Sequence, residues 1–117
     1  MVTRAEFETI TARLTAVTFV EQWGSLVAKV GGKVFTLRGF GPDGSVVFKI
    51  PEASFDMLTI DDGIEQAPYF ARRHWVMVAP AAMPTADLAL YIAASHGLVA
   101  RKLTKKLQGE LGLLTPQ

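Results

Sequence analysis

The stretch Arg72-Arg73-His74-Trp75 gathers the residue types best suited to meeting an anion. Guanidinium and imidazolium groups bind phosphates and carboxylates through charge-assisted hydrogen bonds. A second basic group, Arg101, Lys102, Lys105 and Lys106, lies near the C-terminus. It reads equally as a solvated helix end whose cations complement the negative pole of the dipole. It becomes an anion site only if the fold sets it beside Lys33, Arg38, Lys49 or Arg72.

Other chemistries find less support. Gly39-Phe40-Gly41-Pro42-Asp43-Gly44 matches G-x-G-x-x-G. That motif holds a pyrophosphate only when it opens a helix, and here strand-forming residues follow, so the glycines read as hairpin turns. The chain has two histidines, His74 and His96, and no cysteine. This excludes disulfides, thiolate metal sites and cysteine nucleophiles, and leaves too few ligands for a transition-metal site. Asp61, Asp62 and Glu65 lack calcium-loop spacing and read as a solvated loop near helix ends. Ser95 and His96 are adjacent, but helix neighbours point about 100° apart, so they do not make a nucleophile and its base. The expectation is a non-enzymatic protein with no cofactor and no metal.

Composition frames these residues. The chain has 117 residues, half of them apolar and 20% charged, which fits one domain spanning 1–117 with an ordinary core. Net charge is +1, but from Tyr69 onward six bases face only Asp87 and Glu110, an excess of +4. The N-terminal residues show no apolar run of the signal-peptide kind. Leu88–Ala100, uncharged apart from His96, is too short to span a bilayer. A cytoplasmic protein without membrane contact is expected.

The elements that must position the cations read as follows. Thr3 and Glu6 form a capping box, with Val2 and Phe7 at the staple positions, so a helix starts there. Phe7, Ile10 and Leu14 mark its buried face. Ser25–Val30, Lys33–Phe40 and Ser45–Ile50 alternate as strands. Gly31-Gly32 and Gly41-Pro42-Asp43-Gly44 supply the turns. Pro51 suits the start of a short helix reaching about Thr59, and Asp61–Pro68 reads as loop. Tyr69–Ala79 reads as a fourth strand, with Phe70, Arg72, His74, Val76 and Val78 on one face and Arg73, Trp75 and Met77 on the other. In that reading the adjacent arginines separate, while Arg72 and His74 lie side by side. The cations would also keep an exposed strand from pairing with other chains. A last helix, capped by Thr85, carries Leu88, Tyr91, Ile92, Ser95, Val99 and Leu103 at helical spacing, and Gly97 implies close approach to the sheet. The predicted class is α+β, an antiparallel sheet of four or more strands with helices packed on it, in the order α-βββ-α-β-α.

Four blocks taken together resemble the MmcQ/YjbR family of small bacterial proteins: WGSLVAKVGGKVFTL (23–37), VVFKIPEASFDML (46–58), RRHWVMV (72–78) and LALYIAASHGLVARKLTKK (88–106). The family's hairpin lettering falls on Lys29, Gly32 and Lys33, its basic-His-Trp block on Arg73, His74 and Trp75, and its terminal lysines on Lys105 and Lys106. Thr104 stands where many relatives have proline. The resemblance implies a frataxin-like or secretion-chaperone-like α+β fold and a DNA-binding label built on a double-wing motif.

The expected function is phosphate contact with nucleic acid through Lys33, Lys49, Arg72, Arg73, His74, Lys105 and Lys106. The alternative is a protein-interaction or chaperone-like module using an exposed sheet face or edge, suggested by a mean hydropathy of +0.26 and by Phe40 and Tyr69. A third reading is a small-ligand pocket lined by Trp23, Trp75 and His74.

Overall fold

The computed structural model describes residues 2–22, 24–40 and 44–113, with the side chain of Phe40 left aside. Helix α1 (Arg4–Ala12) opens on the expected capping box: the Thr3 hydroxyl accepts from the Glu6 amide, and Glu6 accepts from the Thr3 amide. Val2 and Phe7 are both buried in the same core cluster, as staple residues should be.

Strands β1 (Val17–Gln22), β2 (Ser25–Val30), β3 (Lys33–Phe40) and β4 (Ser45–Lys49) follow as an antiparallel meander. Gly31 and Gly32 take φ of +59° and +79°, which a two-residue hairpin of this hand requires. A 3₁₀ turn (Glu52–Ser54) leads into α2 (Phe55–Leu58). Then come β5 (Ile64–Gln66), β6 (Trp75–Val78), α3 (Thr85–Ala100) and α4 (Lys105–Glu110). The six strands form one sheet, ordered β1-β2-β3-β4-β6-β5, and every neighbouring pair is antiparallel.

The α+β class therefore holds, with differences in detail. Val17–Gln22 adds an edge strand ahead of the expected meander. Ile64–Gln66, expected as loop, is a strand paired to β6. Tyr69–Ala79 is not one strand: only Trp75–Val78 is, and Ala67–His74 is the connection of the β5–β6 hairpin. Two tight turns shape that connection, with Phe70 donating to the Ala67 carbonyl and His74 to the Ala71 carbonyl. Tyr69 and Arg73 both sit at left-handed φ, +69° and +68°.

The last helix also divides. α3 stops at Ala100, and α4 begins afresh with Thr104 as its N-cap, accepting from the Leu107 amide. The buried Gln108 joins the two by donating to the Leu103 carbonyl at 2.7 Å and to that of Arg101 at 3.4 Å. It thereby satisfies acceptors that a helix end leaves open. Pro84, not Thr85, occupies the N-cap of α3. Gly97 is not explained by the sheet: the neighbour a Cβ would meet is the Arg101 guanidinium, at 3.1 Å.

The sheet is buried on both faces. On one, Leu26, Ala28, Val30, Val46, Phe48, Val76 and Val78 pack against Phe7 of α1 and Leu88, Ile92 and Val99 of α3. Fully burying a side chain of Phe or Ile size is worth about 1.5–3 kcal/mol, so this layer dominates stability. On the other, Val27, Leu37 and Val47 meet Ala67, Phe70, Trp75 and Met77. The β5–β6 connection is thus the lid of the second face.

Candidate anion-binding site

The sheet end carrying the β2–β3 hairpin collects the cations. Lys33 opens β3, Lys49 closes β4, and Lys102 lies just past α3. Leu103 fixes the last of these. It is buried against Gly31, so closely that a Cβ on the glycine would stand 2.5 Å from the leucine Cδ1. Ser95 in mid-helix donates to the Lys49 carbonyl and ties α3 to the end of β4. Together these contacts bring Lys102 to Lys49 and Lys33.

The electrostatics agree. The Lys49 ammonium has its pKa lowered, first by burial, then by the charge and hydrogen-bonding proximity of Lys102, then by the charge of Lys33. Among the described residues, ion pairs join Arg4 to Glu21 and Arg73 to Asp56 and Glu52, and the His74 ring lies near Glu52. The three lysines enter none of them. They form a positive cluster without a carboxylate of its own.

The other expected contacts fare differently. Arg73 is engaged: its two terminal nitrogens each lie 3.0 Å from an Asp56 oxygen, its Nε is 3.5 Å from Glu52, and its guanidinium sits 4.9 Å over the Phe55 ring. The Arg73 hydrogen bond and charge hold the Asp56 carboxyl below its ordinary range, and Asp56 in turn raises the guanidinium pKa. His74 Nε2 lies 3.8 Å from Glu52. The expected pairing of Arg72 and His74 on a strand face is overturned, because residues 69–74 are turn rather than strand. Arg72 is exposed on that connection. Lys105 and Lys106 occupy the first turn of α4, the positive pole of its dipole rather than the negative one expected.

Lys102 is the residue that sequence reasoning left among the solvated helix cations. The signal that finds it is Leu103, an apolar residue beside basic ones, opposite a glycine turn.

Ser95 and His96 are occupied separately. Ser95 binds the Lys49 carbonyl, while His96 Nε2 lies 2.7 Å from the Thr15 carbonyl, with its ring edge-on to Phe35 at 5.2 Å. Trp75 packs on Phe70, centroids 4.7 Å apart, and His74 turns to Glu52, so these two do not line a common pocket. Trp23 and the turn residues Gly41, Pro42 and Asp43 lie outside the described residues. Of the glycine motif, Gly39 and Gly44 take left-handed φ and flank the β3–β4 connection, and a strand follows. No helix among the described residues is long and apolar enough to cross a membrane.

A separate feature lies on the face away from the helices. A groove of about 600 Å³ is floored by Val27, Val34 and Leu37, with Gln22 and Ser25 toward one end and Tyr69 and Phe70 from the β5–β6 connection. Tyr69 is 98% exposed.

Fold and site together define a small α+β domain: a six-stranded antiparallel sheet, helices on one face, a loop-lidded groove on the other and a lysine cluster at one end. The YjbR family model matches residues 12–98, and the chain belongs to that family. A crystal structure from Deinococcus radiodurans, a protein with a DUF419 domain, superposes with a TM-score of 0.84 at 24% identity, covering 97% of this chain and 91% of that one. A Pseudomonas syringae protein superposes with a TM-score of 0.68 at 16% identity, covering 83% and 98%. At these identities the likeness concerns the fold. No curated protein matches.

Proposed function

We propose that this chain is a non-enzymatic module that binds nucleic acid through its phosphates, with Lys33, Lys49 and Lys102 as the principal contacts. One observation carries the reading: Lys33 of β3, Lys49 of β4 and Lys102 just past α3 come together, and among the described residues none of them pairs with a carboxylate. Like charges brought together raise the free energy of the unbound protein, and a polyanion relieves that cost while releasing its own counterions. Lys105, Lys106 and Arg72 are exposed and would add secondary phosphate contacts, whereas Arg73 and His74 lie against Asp56 and Glu52.

Three phosphate contacts give modest, sequence-tolerant binding, with Kd of about 10⁻⁴ to 10⁻⁶ M and a slope of log K against log salt of about −2 to −3. Fluorescence anisotropy with labelled oligonucleotides at several salt concentrations tests this. Replacing Lys33, Lys49 and Lys102 together with Gln should flatten the slope and weaken binding equally for all sequences. Binding indifferent to salt, or unchanged in the triple variant, contradicts the proposal.

A further inference from the structure

Resting on the phosphate-binding reading of the lysine cluster, we infer that the preferred partner is a single strand, whose bases enter the groove on the face opposite the helices. The groove and the cluster adjoin. Val34, on the groove floor, pairs across the sheet with Lys29, whereas Lys33 pairs with Val30 on the helix-covered face. Lys49 pairs with Trp75, whose ring packs at a 38° tilt on Phe70, and Phe70 lines the groove. On the groove face, therefore, Lys49 leads through the Trp75 and Phe70 rings to the apolar recess, and Lys29 stands beside its Val34 end.

Duplex nucleic acid offers phosphates but keeps its bases stacked inside. A single strand offers both, and positive grooves interleaved with aromatic side chains are how proteins hold it without reading sequence. The recess, at about 600 Å³, falls in the size range of small-molecule sites, so an unstacked base has room. Its apolar floor suits the face of a base, and the lysines at the Val34 end match the phosphates on either side.

Tyr69 stands at the rim. Its left-handed φ of +69° is a conformation that a tyrosine adopts at a cost, and the tight hairpin connection holds it there. The turn fixes where the ring leaves the backbone. Here it presents the ring at the mouth of the groove, where it can cover a bound base.

The test compares a short labelled oligothymidylate with a mixed-sequence duplex of equal length, at low salt, by anisotropy. The single strand should bind at least several-fold more tightly. Tyr69→Gly suits the local backbone and removes the ring, and should weaken single-strand binding about ten-fold with duplex binding unchanged. Tyr69→Phe should keep the preference. Equal affinity for strand and duplex, or a strand preference unmoved by Tyr69→Gly, overturns the groove assignment and leaves the lysine reading intact. Binding of neither nucleic acid overturns both. A fatty acid that fills the groove and fails to compete with the oligothymidylate also overturns the assignment.

Discussion

At the scale of single residues, Lys49 separates folding from function most clearly. Its charge is disfavoured in the folded protein, first by partial burial and then by Lys102 and Lys33. A lysine whose folded pKa lies below its unfolded one binds fewer protons folded than unfolded between the two values. Stability therefore rises with pH across that window, and the cost of the charge is fully present at neutral pH. Lys49→Met keeps the aliphatic stem and removes the charge. It should stabilise the protein at pH 7 by about 0.5 kcal/mol, the size of an ordinary like-charge effect, while weakening oligonucleotide binding. The gain, read from urea denaturation, should shrink as pH rises toward about 10.4, where the unfolded lysine also loses its proton. A variant less stable than the parent at pH 7 would show that Lys49 is a packing residue. Asp56 works in the opposite direction. Its pairing with Arg73 supports the fold above the carboxylate range and is lost as pH falls through it.

At the scale of elements, the β5–β6 connection decides what the second face can do, and Gln66 holds that connection. Its side-chain amide donates to the Ala67 carbonyl at 2.9 Å and to that of Phe70 at 3.3 Å, and its oxygen accepts from the Arg73 amide at 2.8 Å. Gln66→Leu leaves those backbone groups short of partners. It should cost about 1–3 kcal/mol and speed hydrogen exchange at the Arg73 amide, with the helix-covered face unaffected. Unchanged exchange at Arg73 would mean that the turns hold themselves.

The same segment shows where sequence reasoning succeeds and where it stops. Alternation is local, so Leu26, Ala28, Val30, Val46, Phe48 and Ile50 were all readable as one core face. The capping box and the Gly31-Gly32 turn are local as well. A side chain that replaces strand partners for an eight-residue connection is not, and Tyr69–His74 kept the composition of a strand while forming turns. The break between α3 and α4 depends on Gln108 reaching back to Leu103, again a contact with no local signature. β5 is three residues long with two polar members, too little pattern to register.

At the scale of the whole molecule, the arrangement divides labour between the two faces of one sheet. Helices α1 and α3 bury the larger cluster and supply most of the stability, which leaves the opposite face to a short connection and a groove. Of the candidate cations, the fold brings Lys33 and Lys49 together and adds Lys102, while it commits Arg73 and His74 to carboxylates. Net charge of +1 conceals this, because a local cluster contributes to potential within about a Debye length, roughly 10 Å at 0.1 M salt. The measurement that tests the cluster most directly is a titration of isotope-labelled protein with a short oligonucleotide, followed by amide and lysine side-chain NMR shifts. The account predicts salt-sensitive shifts concentrated at Lys33, Lys49 and Lys102 and at the adjoining Gly32 and Leu103. Shifts confined to the opposite sheet end around Arg38 and Gly44, or none at all, would contradict it.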